Sequence, residues 1–80
     1  MDKNAKKPTV TVGYNQVMRS VIAKTAAIVY VAEDTDSDML AHIRSKCAEK
    51  GVKTEFVKSK AELGKIAGIE VPAAVMAILK

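Results

Sequence analysis

The sequence predicts an α/β domain: a three-layer α/β/α sandwich around a four-stranded mixed sheet. Three observations carry this. Two runs, "AAIVYVA" at 26–32 and "AAVMAIL" at 73–79, are continuously apolar, the pattern of strands buried on both faces. Three other stretches carry helix periodicity or helix-capping signals. The resulting order, β-α-β-α-β-α-β, alternates strands with helices able to cover both faces of one sheet.

Residues 1–8 are polar and basic and close on Pro8, which predicts a flexible basic arm before a single domain over 9–80. "TVTV" (9–12) is a short β-prone run. From Tyr14 to about Thr25 the period is helical. Tyr14, Val17, Met18, Val21 and Ile22 share one face, and Asn15, Gln16, Arg19, Ser20 and Lys24 the other. "EDTDSD" ends the next strand, and Thr35 with Asp38 three residues on reads as a capping box. Met39, Leu40, Ile43 and Cys47 give the second helix its buried stripe, and Gly51 its stop. "VKTEFV" (52–57) alternates, as a peripheral strand does. Ser59 with Glu62 signals a second capping box, opening a short third helix that ends near Gly68. "IEVP" (69–72) is a loop before the last strand.

Composition limits the function classes. Eighty residues make one domain that buries roughly 60–65% of its unfolded surface, and 49% apolar residues suffice for a core. Tyr14, Tyr30 and Phe56 are the only aromatic residues, too few for a platform on which several bases stack. The single cysteine, Cys47, has no internal disulfide partner, which fits a reducing compartment. With no signal-peptide pattern and no run of about 18 apolar residues, the expectation is a soluble cytoplasmic protein without a membrane span. Net charge is +4 and uneven: +4 over residues 1–24, −2 over 25–50 and +2 over 51–80. Positive ends that converge in the fold would suit a polyanion, and they also serve solubility.

Catalytic constellations are sparse. His42 and Cys47 lie about 140° apart on one helix, so they form no dyad or metal pair there; His42 reads as a surface residue and Cys47 as core. Glu33, Asp34, Asp36 and Asp38 sit at the carboxyl end of a buried strand, where a magnesium ion is conceivable. Acids in the first turn of a helix also simply favour its dipole. "GKIAG" and "GIEVPAA" are not phosphate loops. The chain thus reads as a protein without catalytic, metal or cofactor chemistry.

"GYNQVMRS" (13–20) stands out. Asn15, Gln16 and Arg19 span an arc of about 100° at the start of a helix. Free N–H groups there suit a phosphate, Arg19 adds an anchor, and amides match base edges. A capped, solvated helix start fits the octapeptide equally well.

Taken in order, "GYNQVMR", "VYVAEDTD", "SKAELGKIAGIEVPAA" and "VMAIL" resemble the kink-turn-binding ribosomal-protein family, the L-seven-Ae, L-thirty-e and Gadd-like superfamily. In size the chain is similar to its short bacterial, YbxF-like members. The resemblance covers about residues 10–80 and implies an α/β/α sandwich that binds a sharply bent RNA with tandem sheared G·A pairs. It implies that Gly13 admits close approach of RNA, that Asn15 reads a guanine and Gln16 stands beside it, and that Arg19 replaces a phosphate-binding lysine. Asp36 takes the place of an acid near a flipped-out nucleotide, and Lys60 that of a basic residue at the third helix. Ile69, Glu70 and Val71 occupy the loop that packs on the protruding base. Val12 and Ala23 stand where some members carry cations; Lys24 follows Ala23 directly and is a further phosphate candidate. The partner expected is structured RNA, a kink-turn in ribosomal or regulatory RNA, with the ribosome as a possible setting and a monomer as the state. The alternative on the same fold is a protein-interaction module using the "IEVPAAV" edge and the "EDTDSD" loop.

Overall fold

The computed structural model describes residues 10–80; the expected basic arm at 1–8 lies outside the described residues. Seven elements follow one another: β1 (Val10–Val12), α1 (Tyr14–Ile22), β2 (Ala26–Ala32), α2 (Ser37–Lys50), β3 (Lys53–Val57), α3 (Lys60–Ala67) and β4 (Val75–Leu79). The strands form one mixed sheet in the order β1-β4-β2-β3. β2 and β3 are parallel, and β4 runs antiparallel to both β1 and β2.

Strand alternation sends side chains to two cores. Val29 and Val31 of β2 and Val75 and Ala77 of β4 meet Val17, Val21, Ile43 and Cys47, so α1 and α2 cover one face. Ala32 and Met76 meet Leu63 with Tyr30, Val57, Ile69 and Ile78, so α3 covers the other. This is the three-layer arrangement expected. Ala26 and Ile28 pair with consecutive residues of β4, Leu79 and Ile78, leaving Ala27 as a bulge. The extra residue explains how Ala26 joins the same core as Val29, an odd number of positions away.

Several expectations are corrected. α1 ends at Ile22, short of Thr25, because Lys24 turns left-handed at φ 62°. The Thr25 N–H then donates to the Ser20 carbonyl at 2.9 Å, closing the helix end. Ile22 is 55% exposed, not part of the buried face. β4 begins at Val75; Ala73 and Ala74 precede the ladder. Thr35 does not cap α2. The N-cap is Asp36, without a side-chain cap bond, and Thr35 is buried with its hydroxyl donating to the Ala74 carbonyl at 3.4 Å. Ser59 does cap α3, accepting from the Glu62 N–H at 3.1 Å, and Gly51 ends α2 in the left-handed conformation. β3 lies at the sheet edge, as its alternation predicts.

Candidate nucleic-acid interface

Parallel pairing of β2 with β3, and antiparallel pairing of both β2 and β1 with β4, bring four chain segments to one end of the sheet. Val12 lies opposite Met76, and Val31 is paired with both Val75 and Phe56. All three helices begin at this end, and each helix start carries partial positive charge. A chain of hydrogen bonds ties these starts together. Gly13 N–H donates to the Val75 carbonyl at 3.1 Å, and Ala32 N–H to the Ala74 carbonyl at 2.9 Å. Ala73 N–H donates to the Lys60 carbonyl at 3.1 Å, and Lys60 N–H to Asp34 Oδ1 at 3.0 Å. Gly13, Asn15, Gln16, Asp36 and Lys60 are therefore brought to one rim by backbone bonding.

At the start of α1, Gly13 has φ 107° and ψ 149°, a region essentially closed to residues with a Cβ. That conformation turns the chain out of β1 and into the helix in one residue. Space around Gly13 is also open: a Cβ there would meet no atom within 4 Å. The helix has no side-chain cap, and among the described residues the N–H groups of Tyr14, Asn15 and Gln16 have no acceptor. Asn15, Gln16 and Arg19 are exposed, while Val17, Met18 and Val21 hold the opposite face in the core. Arg19 follows Asn15 by about one turn, on the same face.

The remaining candidates are more dispersed. Lys24 lies past the far end of α1, roughly 13 Å along the axis from Asn15. Its neighbour Thr25 bonds Lys80 at the opposite end of the sheet. The loop 69–71 leaves the far end of α3 and runs back beside that helix. Ile69 N–H donates to the Gly64 carbonyl at 3.0 Å, and the loop regains the rim at Ala73. Val71 is 62% exposed and available for contact. Ile69 is half-buried against the α3-side core, so it supports the loop more than it offers a surface. Glu70 is exposed. Loop and helix together line a groove formed by Ala61, Lys65, Ile69, Glu70, Val71 and Pro72.

Two contacts were not legible in advance. The Tyr14 hydroxyl hydrogen-bonds His42 Nδ1, with ring centroids 5.9 Å apart, joining α1 to α2 just behind Asn15. His42 is thus an exposed residue with a cross-helix partner. Asp34, considered as a metal ligand, instead accepts from the first N–H of α3. Among the described residues no group of three or more His, Cys, Asp or Glu side chains is placed to hold a metal ion. No helix of the described residues is long and apolar enough to cross a membrane.

Sequence and fold comparisons show the family and the fold. The model of the ribosomal protein L7Ae/L30e/S12e/Gadd45 family matches residues 1–80. The chain belongs to this family. A protein of Caldanaerobacter subterraneus subsp. tengcongensis named as an RNA-binding protein is 36% identical over 70 residues, 88% of this chain and 85% of that relative. The structure titled Giardia lamblia 15.5kD RNA binding protein superposes with a TM-score of 0.82 at 32% identity, over 89% of this chain. This chain spans 60% of that longer protein. A protein of unknown function from Bacillus halodurans C has the same fold, with a TM-score of 0.82 at 18% identity over 96% of this chain and 75% of that one.

Proposed function

We propose that this family member is an RNA-binding protein, and that the RNA it recognises is a kink-turn with tandem sheared G·A pairs, in a ribosomal or regulatory setting. One observation carries the reading. The uncapped start of α1 presents Asn15 and Gln16 on the same rim as the start of α3 and the return of the 69–74 loop. Membership of the family and the names of the two relatives at 32% and 36% identity support RNA as the partner class.

The mechanism follows from what regular RNA denies. An A-form helix has a major groove too deep and narrow for side chains, so an α-helix gains entry only where the duplex is bent or opened. At such a bend the N–H groups of α1 and the Arg19 and Lys60 cations hold phosphates and set the register. Asn15 and Gln16, each with donor and acceptor, read the guanine edges that sheared pairing exposes. Val71 covers the protruding base from the loop side. The bent state is one of several the RNA samples, and binding energy selects it. Acting by binding alone, the protein works without a cofactor, as a monomer in the cytoplasm.

The test is a gel-shift titration at physiological salt with two probes. One is a duplex with a three-nucleotide bulge followed by tandem G·A pairs; the other has those pairs made Watson–Crick. Tight binding to the first alone is expected. Equal, weak and salt-sensitive binding to both overturns kink-turn recognition and leaves only the basic surface at work; binding to neither favours a protein-interaction module using the "IEVPAAV" edge and the "EDTDSD" loop.

A further inference from the structure

We propose that Gly64, buried in the middle of α3, is a positioning residue for the RNA-facing loop. Its missing Cβ is the seat on which the Val71 carbonyl rests, and that seat fixes where Val71 meets the RNA. The inference rests on the RNA-binding reading above and deepens it. Glycine in a helix interior weakens the helix, so it signals a close approach of something to the backbone. Here that something is the loop. A Cβ built at Gly64 would fall inside van der Waals contact with the Val71 carbonyl oxygen, 3.3 Å from the Val71 carbonyl carbon and 3.4 Å from the Pro72 Cα. All three are backbone atoms, so no side chain can swing away to relieve the overlap.

The loop, and not the helix, must give. α3 is held by the Ser59 cap, by Asp34 on the Lys60 N–H, and by fully buried Leu63. The loop is pinned only at its ends, by Ile69 N–H on the Gly64 carbonyl and Ala73 N–H on the Lys60 carbonyl. Among the described residues, the backbone groups of Glu70, Val71 and Pro72 between those pins make no backbone hydrogen bond. A methyl group at 64 therefore lifts the centre of the loop, where exposed Val71 sits, and leaves α1 with Asn15 and Gln16 untouched on the opposite face of the sheet.

The experiment compares wild type, Gly64→Ala and a remote control, Ala48→Gly, which weakens α2 without approaching the loop. Each is titrated against the kink-turn duplex and against the same duplex with an abasic site at the protruding nucleotide. Gly64→Ala is expected to lose at least fivefold in affinity for the intact RNA and less than twofold for the abasic one. Ala48→Gly is expected to treat both RNAs as wild type does. Equal losses on both RNAs, or no loss on either, overturn the positioning role. Amide spectra give a second readout: shifts in Gly64→Ala are expected at 70, 71 and 73 and not at 14–19, and shifts spread over the whole domain overturn the inference. That readout needs no RNA, so a wild type that fails to bind the kink-turn sinks the functional reading while the placement of the loop is still decided. If Gly64→Ala yields too little folded protein, Pro72→Gly loosens the same loop without adding an atom to α3. The same selective loss is then expected, and equal losses again overturn it.

Discussion

The starts of α1 and α3 lie on the same rim and are built in opposite ways. At α3, Ser59 accepts from the Glu62 N–H and Asp34 from the Lys60 N–H, so two of the orphan donors of the helix are satisfied within the protein. At α1, Gly13 offers no side chain, and among the described residues the first three N–H groups find no acceptor. The start of α2 is intermediate, with Asp36 at the N-cap but no cap bond, and Asp38 in the first turn favouring the dipole. α3 is thus closed by two side chains, while α1 is left open with two amides and an arginine around the opening. Under the proposed function, the closed end holds the loop and the open end meets the RNA.

That contrast breaks if the open end proves structural. The largest effect is expected from replacing Asn15 and Gln16 with alanine together. Each is expected to cost on the order of 1–3 kcal/mol of kink-turn affinity, with the thermal midpoint essentially unmoved because both are exposed. Unchanged affinity in a gel shift removes them from the interface. Next comes Gly13→Ala, for which a non-glycine residue at φ 107° is expected to cost about 1–3 kcal/mol of stability in denaturant unfolding. A neutral result shows that β1 and α1 can join by another turn. Ser59→Ala sharpens the other half of the comparison, with an expected loss of about 1 kcal/mol of stability and no change in which RNA is preferred. Arg19→Ala is expected to weaken binding several-fold and lower the slope of log affinity against log salt by about one; an unchanged slope takes Arg19 off the phosphate contacts. The smallest effect belongs to Lys24, at the far end of α1. Lys24→Gly relieves a left-handed lysine and is expected to raise stability by about 0.5–1 kcal/mol while leaving RNA affinity within about twofold. A larger loss of affinity extends the interface along the whole of α1.

Local signals are legible in the sequence wherever the chemistry acts within a few residues. Ser59 and Glu62 form their cap as the spacing predicts, and Gly51 ends α2 because only a residue tolerant of the left-handed region fits there. The same local logic failed at Thr35. Its spacing to Asp38 mimics a capping box, but its hydroxyl is taken by Ala74, thirty-nine residues away, on a strand whose position the spacing does not reveal. Ile22 failed for a similar reason: periodicity continued it along the apolar face, while the turn at Lys24 closed the helix and left it in water. Gly64 falls within the helix that Ser59 opens, yet nothing in the surrounding residues says that the Val71 backbone lies against it.

By itself the sequence determined the seven elements, the apolar faces that must be covered, the serine that opens α3 and the glycines that stop α2 and α3, and the family resemblance that singles out Asn15 and Gln16. Tertiary structure alone decided the β1-β4-β2-β3 order, the bulge at Ala27 and the gathering of three helix starts on one rim. It also parted the candidate residues, bringing Gly13, Asn15, Gln16, Asp36 and Lys60 together and leaving Lys24 at the other end. The physical reason is range. Caps and periodicity are energies between residues three or four apart, which a linear reading samples directly. Strand order and the meeting of loop with helix are settled by the packing of two cores whose members come from all parts of the chain.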